Sequence, residues 1–156
     1  MIMSTTFYKK YSSCRWCVSQ PKFYEDKSKS AKEGGAFLTI ALGNGDGTYD
    51  TDNAHCVFFS NYEIAEIIHA IDNNFDDYAT DENNPYQFST YHDLNGKGTT
   101  IIIGNNKDKE GYIIALIRKD KSLKYYPDSL ELYKIRMYLT SLYQYMFLWD
   151  GDMINK

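Results

Sequence analysis

The chain has no apolar run longer than the six residues from Tyr112 to Ile117, well short of the roughly 18 that a membrane-spanning helix requires. The Met1 to Lys10 stretch lacks a signal-peptide core, so neither membrane residence nor Sec export is expected. Cysteine is scarce. Three in 156 residues is an odd number and too few for a disulfide scaffold, which makes an intracellular, cytoplasmic setting the expectation. Catalytic signatures are missing too. No GxxxxGK[ST], GxSxG or HExxH pattern occurs, and no helix carries paired carboxylates on one face. Phosphate cradling, nucleophilic hydrolysis and zinc hydrolysis therefore have no foothold, and no enzyme activity, cofactor, metal or small-molecule substrate is expected.

The scarcity that organises the charge is that of basic residues in the middle. Residues 33–96 carry no Lys or Arg and twelve acids, whereas residues 1–32 sum to +5 and residues 97–156 to +3, for a net charge of -4. An acidic balance argues against sequence-independent coating of duplex DNA, whose affinity comes mainly from neutralised phosphates. It leaves single strands open, because unstacked bases are held by aromatic platforms worth roughly 1 to 3 kcal/mol per base. Aromatic side chains are what this sequence has in excess: 15 Tyr, 8 Phe and 2 Trp. The competing reading of most of those tyrosines is simply that they fill strands.

Period and punctuation predict the elements. Residues 1–15 show no sustained period and read as an N-terminal arm or an edge strand. Strand-like spacing runs from Trp16 to Asp26, and Ala36 to Leu42 is an apolar strand between glycines. Gly43 to Asn53, rich in Gly, Asn and Asp, is a long turn before a short strand at His55 to Phe59. Ser60 and Glu63 form a capping box, and Ile64, Ile67, Ile68 and Ile71 mark one helical face. After the acidic stretch Asp72 to Pro85, strands are expected at Tyr86 to His92, Thr99 to Ile103, Tyr112 to Arg118 and Leu123 to Tyr126. Asp128 and Glu131 then open a second capped helix, with Leu132, Ile135, Leu139, Leu142 and Met146 on its stripe, ending about Leu148. Glu63, Ile64 and Ile67 match Glu131, Leu132 and Ile135 at a constant offset of 68, so the chain reads as a duplicated ββββα unit. The expected class is α+β: two antiparallel sheets and two amphipathic helices. The expected division is an arm at 1–15, one domain at 16–150 built of repeats 16–72 and 86–148, and a tail at 151–156. Each sheet should have one face under its helix and one left open.

The order of motifs resembles that of the Whirly single-stranded DNA-binding proteins and, more distantly, the mitochondrial RNA-binding proteins related to them. Ala36-Phe37-Leu38-Thr39-Ile40 is similar to that family's KGKAALT-type strand, FSNYEIAEII to the segment entering its first helix, and Tyr91-His92-Asp93 to its Phe-His-Asp. Gly111-Tyr112 resembles its Gly-Tyr strand, and Leu148-Trp149-Asp150 its C-terminal Gly-Trp-Asp. The resemblance runs from about Phe23 to Asp150. It departs from the family at Glu33-Gly34-Gly35, where Lys-Gly-Lys is usual, leaving Lys32 one position earlier and Lys29 beyond it. No plant-type transit peptide is present, as expected of a bacterial or viral homologue. The resemblance implies a Whirly-like fold and a homo-tetramer joined through its helices.

Other motifs carry less. Cys14-Arg15-Trp16-Cys17 is a lone CxxC, for which a structural pair of cysteines outweighs half a zinc site or a redox pair. His92-Asp93 lacks the further ligands of a metal phosphohydrolase. Asn44 to His55 has Tyr49 where a calcium loop needs Gly and His55 where it needs Glu. What remains is a non-catalytic single-stranded nucleic-acid-binding protein, with DNA preferred over RNA and little sequence specificity. Bases would stack on Tyr24, Phe37, Tyr91 and Tyr112, phosphates would meet Lys22, Lys29, Lys32, Lys97 and Lys107, and Thr39 and Thr99 complete the set. The lysine-bearing turns before Ala36 and Thr99 should flank one groove, with the acidic 44–93 segment largely away from it. Whether the binding serves replication, recombination or transcription regulation is left open. The rival is a structural or protein-interaction module whose acidic middle binds a basic partner.

Overall fold

A computed structural model of the chain describes residues 4–20, 34–78, 86–94, 96–107 and 109–154, without the side chains of Leu94 and residues 145–154. It contains two four-stranded antiparallel sheets, each in simple meander order and each followed by a helix. The first sheet comprises β1 (Ser4–Tyr8), β2 (Ser12–Ser19), β3 (Gly35–Leu42) and β4 (His55–Ser60), leading into α1 (Asn61–Asp72). A 3₁₀ turn at Asp76–Tyr78 precedes the second sheet, made of β5 (Gln87–Leu94), β6 (Lys97–Asn105), β7 (Tyr112–Ile117) and β8 (Ser122–Tyr125). The chain then enters α2 (Ser129–Ile154). The α+β class and the duplicated strand-strand-strand-strand-helix order are thus as expected.

Differences lie at the boundaries. Of the two readings of the first residues, an arm or an edge strand, Ser4–Tyr8 takes the second, since β1 pairs along β2 from Ser4↔Cys17 to Tyr8↔Ser13. Its mixed polar and aromatic composition hides the period, since an edge strand needs only one satisfied side. Likewise α2 continues through Gly151 to Ile154; one glycine costs a helix only about 1 kcal/mol and need not end it.

Strand alternation divides each sheet into two faces. Inward go Cys14 and Trp16 of β2, Leu38 and Ile40 of β3, Val57 and Phe59 of β4; from the second sheet come Phe88, Ile101, Ile103, Ile114, Leu116, Leu123 and Tyr125. These meet Ile64 and Ile67 of α1 and Leu132, Ile135, Leu139 and Leu142 of α2 in a single core. The helices also pack on each other, and Arg136 of α2 forks onto Asp72 of α1 at 2.8 and 3.1 Å. That hydrogen bond with Arg136 holds the Asp72 carboxyl below its ordinary range.

Both capping boxes form, and each does more than cap. Ser60 Oγ accepts from the Glu63 amide while Glu63 Oε1 accepts from the Ser60 amide; its other oxygen accepts from His92 Nε2 of β5 at 2.6 Å. In the second unit Asp128 and Glu131 exchange the same pair of bonds. Glu131 also accepts from the hydroxyl of the fully buried Tyr125 and pairs with Lys9, just past β1. Each helix glutamate therefore reaches the end of the other unit's first strand.

Glu131→Ala should lower stability by about 2 to 4 kcal/mol, because it removes a cap, an ion pair and the acceptor of a buried hydroxyl together. Glu131→Gln, which still accepts, should lose about half as much or less. Urea unfolding of the two variants checks the order.

Candidate nucleic-acid interface

The outer face of the first sheet is built by register. Cys17, Phe37 and Phe58 lie in one row across β2, β3 and β4, and Arg15, Thr39 and Cys56 in the next. The Phe37 and Phe58 rings stand 5.3 Å apart at 58°, and Phe37 is 39% exposed. Phe58 lies over Gly35. A Cβ at that glycine would overlap the Phe59 carbonyl oxygen and come within 2.6 Å of the Phe58 ring.

These rings form one wall of a groove of about 760 Å³ that runs along the seam between the units. Glu63, His92 and Asp93 line it, with Lys97 and Arg118 bringing positive charge from the second unit. Arg118 is tied down on several sides. Its Nε donates to Thr99 Oγ1 at 2.9 Å, Nη1 to His55 Nδ1 at 3.2 Å and Nη2 to the Cys56 carbonyl at 3.3 Å. His55, buried, donates from Nε2 to the Lys121 carbonyl at 3.1 Å, which leaves Nδ1 free to accept from Arg118.

A second hollow of about 550 Å³ is lined by Gly96, Lys97, Gly98, Arg118, Lys119 and Asp120. Lys97 and Arg118 line both hollows, so the two adjoin at these side chains, the aromatic wall on one side and Lys119 on the other. Two turns meet here, between β5 and β6 and between β7 and β8, because antiparallel order brings alternate turns to the same end of a sheet. On the outer face above, Tyr91, 62% exposed, lies across Gly98, where a Cβ would overlap its hydroxyl and come within 2.7 Å of Cζ.

Of the expected contact residues, Phe37, Thr39 and Tyr91 stand on outer sheet faces, and Phe37 and Lys97 share the groove. Lys22, Tyr24, Lys29 and Lys32 lie outside the described residues. Two placements differ from the expectation of an open face. Thr99 is 2% exposed on the inner side, where Arg118 occupies its hydroxyl. Tyr112 shares the inward parity of Ile114 and Leu116, and its ring packs 6.3 Å from Phe75. Lys107 is exposed, but it lies beyond the far end of β6, roughly 30 Å of extended chain from Lys97.

The acidic segment is not wholly remote, since Glu63 and Asp93 line the groove. A helix capped at the seam brings its N3 carboxylate there, and β5 ends beside it. Sequence reasoning missed Phe58, Arg118 and Lys119. The available signals were Gly35, in register one step from Phe58, and the basic Arg118-Lys119 pair, in a turn on the same side as Lys97. The lone CxxC resolves as two independent cysteines. In an extended strand residues three apart face opposite ways; Cys14 is fully buried, its thiol pushed up by desolvation, while Cys17 faces outward. No cluster of three metal-ligating side chains exists among the described residues.

Two meander sheets with crossed helix caps and an open aromatic face define a duplicated α+β domain of the Whirly-like fold. By sequence, no protein-family model matches the chain and neither does any curated protein. By structure, it is similar to WHY1 from Arabidopsis thaliana, with a TM-score of 0.73 and 14% identity over 98% of this chain and 89% of that one. The plant transcriptional regulator PBF-2 superposes with a TM-score of 0.72 and 15% identity, over 99% of this chain and 87% of that one. WHY3 from Arabidopsis thaliana gives 0.71 and 14%, over 97% and 92%.

Gly98→Ala should destabilise the chain by about 1 to 3 kcal/mol, through overlap with Tyr91. The double variant Gly98→Ala/Tyr91→Ala should recover most of the loss, giving a coupling free energy that urea unfolding of the four-member cycle reads directly.

Proposed function

We propose that the chain is a non-catalytic single-stranded nucleic-acid-binding protein that prefers DNA and reads little sequence. The observation that carries this reading is the adjacency of two hollows: Phe37 and Phe58 on the wall of one, Lys119 in the other, and Lys97 and Arg118 shared between them. Aromatic faces accept any base, and cations spaced beside them suit the phosphates that follow. Duplex DNA has no unstacked base to offer the rings. The preference for DNA over RNA rests on the Whirly resemblance, as does an absence of catalysis. Three unpaired cysteines, one of them exposed, suit a reducing cytoplasm.

In an electrophoretic shift series, single-stranded oligonucleotides should bind more tightly than duplexes of equal length. Phe37→Ala and Phe58→Ala should each weaken binding about 5- to 150-fold, corresponding to one lost stacking contact. Lys97→Ala/Lys119→Ala should flatten the logarithmic salt dependence by about 1.4, two phosphates' worth. Tight duplex binding without single-strand preference would overturn the reading, and binding only to a basic protein would favour an interaction module.

The homo-tetramer is proposed on a separate ground. Leu130, Tyr133 and Met137 of α2 are 60%, 57% and 48% exposed on the side opposite its buried stripe. An apolar helix face of this kind is covered by another subunit, and a ring with helices at its centre covers four at once. Light scattering at micromolar concentration should give about four times 18.1 kDa; a monomer mass that persists with oligonucleotide would exclude the ring.

A further inference from the structure

The duplication has a consequence at the opposite seam. Adding 68 to the positions that build the first groove turns Cys56, Phe58 and Glu63 into Lys124, Tyr126 and Glu131. There β8 and the N-terminus of α2 face the β1–β2 turn and the end of β3, as β4 and α1 face the β5–β6 turn and the end of β7. The structure holds a hollow of about 550 Å³ at that place, lined by Lys9, Tyr11, Ser12, Leu42, Lys124 and Tyr126 among others. Leu42, at the end of β3, pairs with Ser12 at the start of β2, and just past the end of β7 Arg118 reaches Thr99 of β6 through a side-chain hydrogen bond.

The second hollow has the same two kinds of contact, supplied by both units. In the first groove the near strand supplies the ring and the far unit the cations. In the second, β8 supplies Lys124, Tyr126 follows it, and the far unit adds Tyr11. Tyr11 is 70% exposed with Lys10 Nζ 5.3 Å above its ring, and Tyr126 is 49% exposed. Lys9 is committed to Glu131 and Asp128, whereas Lys10 and Lys124 are in no ion pair among the described residues. Around the corner Tyr126 also borders a third hollow, of about 540 Å³, with Lys109 and Tyr112.

We propose that this second seam is a second site for single-stranded nucleic acid, with Tyr11 and Tyr126 as base platforms and Lys10 and Lys124 as phosphate contacts. It rests on the reading of the first groove as a single-strand site. One protomer then holds two segments of strand, one at each seam, and the second segment binds at the high effective concentration set by the first.

The test uses the full chain and an oligothymidine of about 30 nucleotides, long enough to engage both seams, carrying photoreactive 4-thiothymidine. After irradiation, peptide mass spectrometry should find crosslinks on the peptides bearing Tyr11 or Tyr126 as well as on those bearing Phe37 or Phe58. Tyr11→Ala/Tyr126→Ala should weaken binding of the long oligonucleotide about tenfold or more, as expected for lost stacking. It should leave the tightest binding of an 8-nucleotide strand, held at the first groove, unchanged within about twofold. Lys124→Ala alone, a surface change with little effect on folding, should shift the salt dependence of the long strand and not of the short one. Binding with crosslinks confined to the Phe37 and Phe58 peptides and no change in the double variant would overturn the second site alone. No single-strand binding at all would overturn both sites.

Discussion

Two carboxylates fasten the seams between two halves that share one core. Glu63 and Glu131 each close a capping box on their own helix and reach the other unit: Glu63 gives its second oxygen to His92, and Glu131 pairs with Lys9 through the same Oε1 that closes its cap. A helix N-terminus attracts negative charge, so the same position that completes the cap is the natural end for a cross-unit ion pair. Because each pair ties one unit's helix start to the other unit's first strand, both seams run beside helix N-termini. The proposed groove is such a seam, bounded by Phe58 just before α1 and by Lys97 just after β5.

The two pairs are not chemically alike. Lys9 brings a flexible ammonium, and Glu131 shares its load with the buried Tyr125 hydroxyl, whose ionisation burial and that carboxylate oppose. His92 brings a planar ring that meets Glu63 through one directed contact at Nε2. Duplication has kept the glutamate and changed its partner, leaving one seam fastened by a flexible ammonium and the other by a rigid ring.

Much of the architecture was legible because it depends on local rules. Both helices announced themselves by a cap at Ser60 or Asp128 and an isoleucine or leucine stripe, and the offset of 68 between them gave the repeat. Strands were found wherever alternation was strong, as in Ala36 to Leu42. The first strand was legible only as one of two alternatives, an arm or an edge strand, because Ser4–Tyr8 is an edge with little to bury. The site was only half legible, for a geometric reason. Residue type says that an aromatic or a lysine could meet a nucleic acid, but the parity of its strand decides whether it can. Tyr112 and Tyr91 look equivalent in sequence; one counts with Ile114 and Leu116 and turns to the core, the other counts with Asp93 and turns out. Arg118 was invisible for another reason: its contacts with His55 and Cys56 join residues more than 60 positions apart, which no local pattern records.

The glycines beneath the aromatic rings determine something about timing. Gly35 and Gly98 have no side chain, so Phe58 and Tyr91 can lie down on the neighbouring strand rather than stand off it. A ring resting on backbone has surrendered its rotational freedom during folding, when the cooperative collapse of the whole core offsets the loss. Nothing of that entropy is left to be charged to whatever later stacks on the exposed side. In the proposed single-strand site, two residues outside the ligand's reach thereby set how much of each ring's intrinsic attraction survives as measurable affinity.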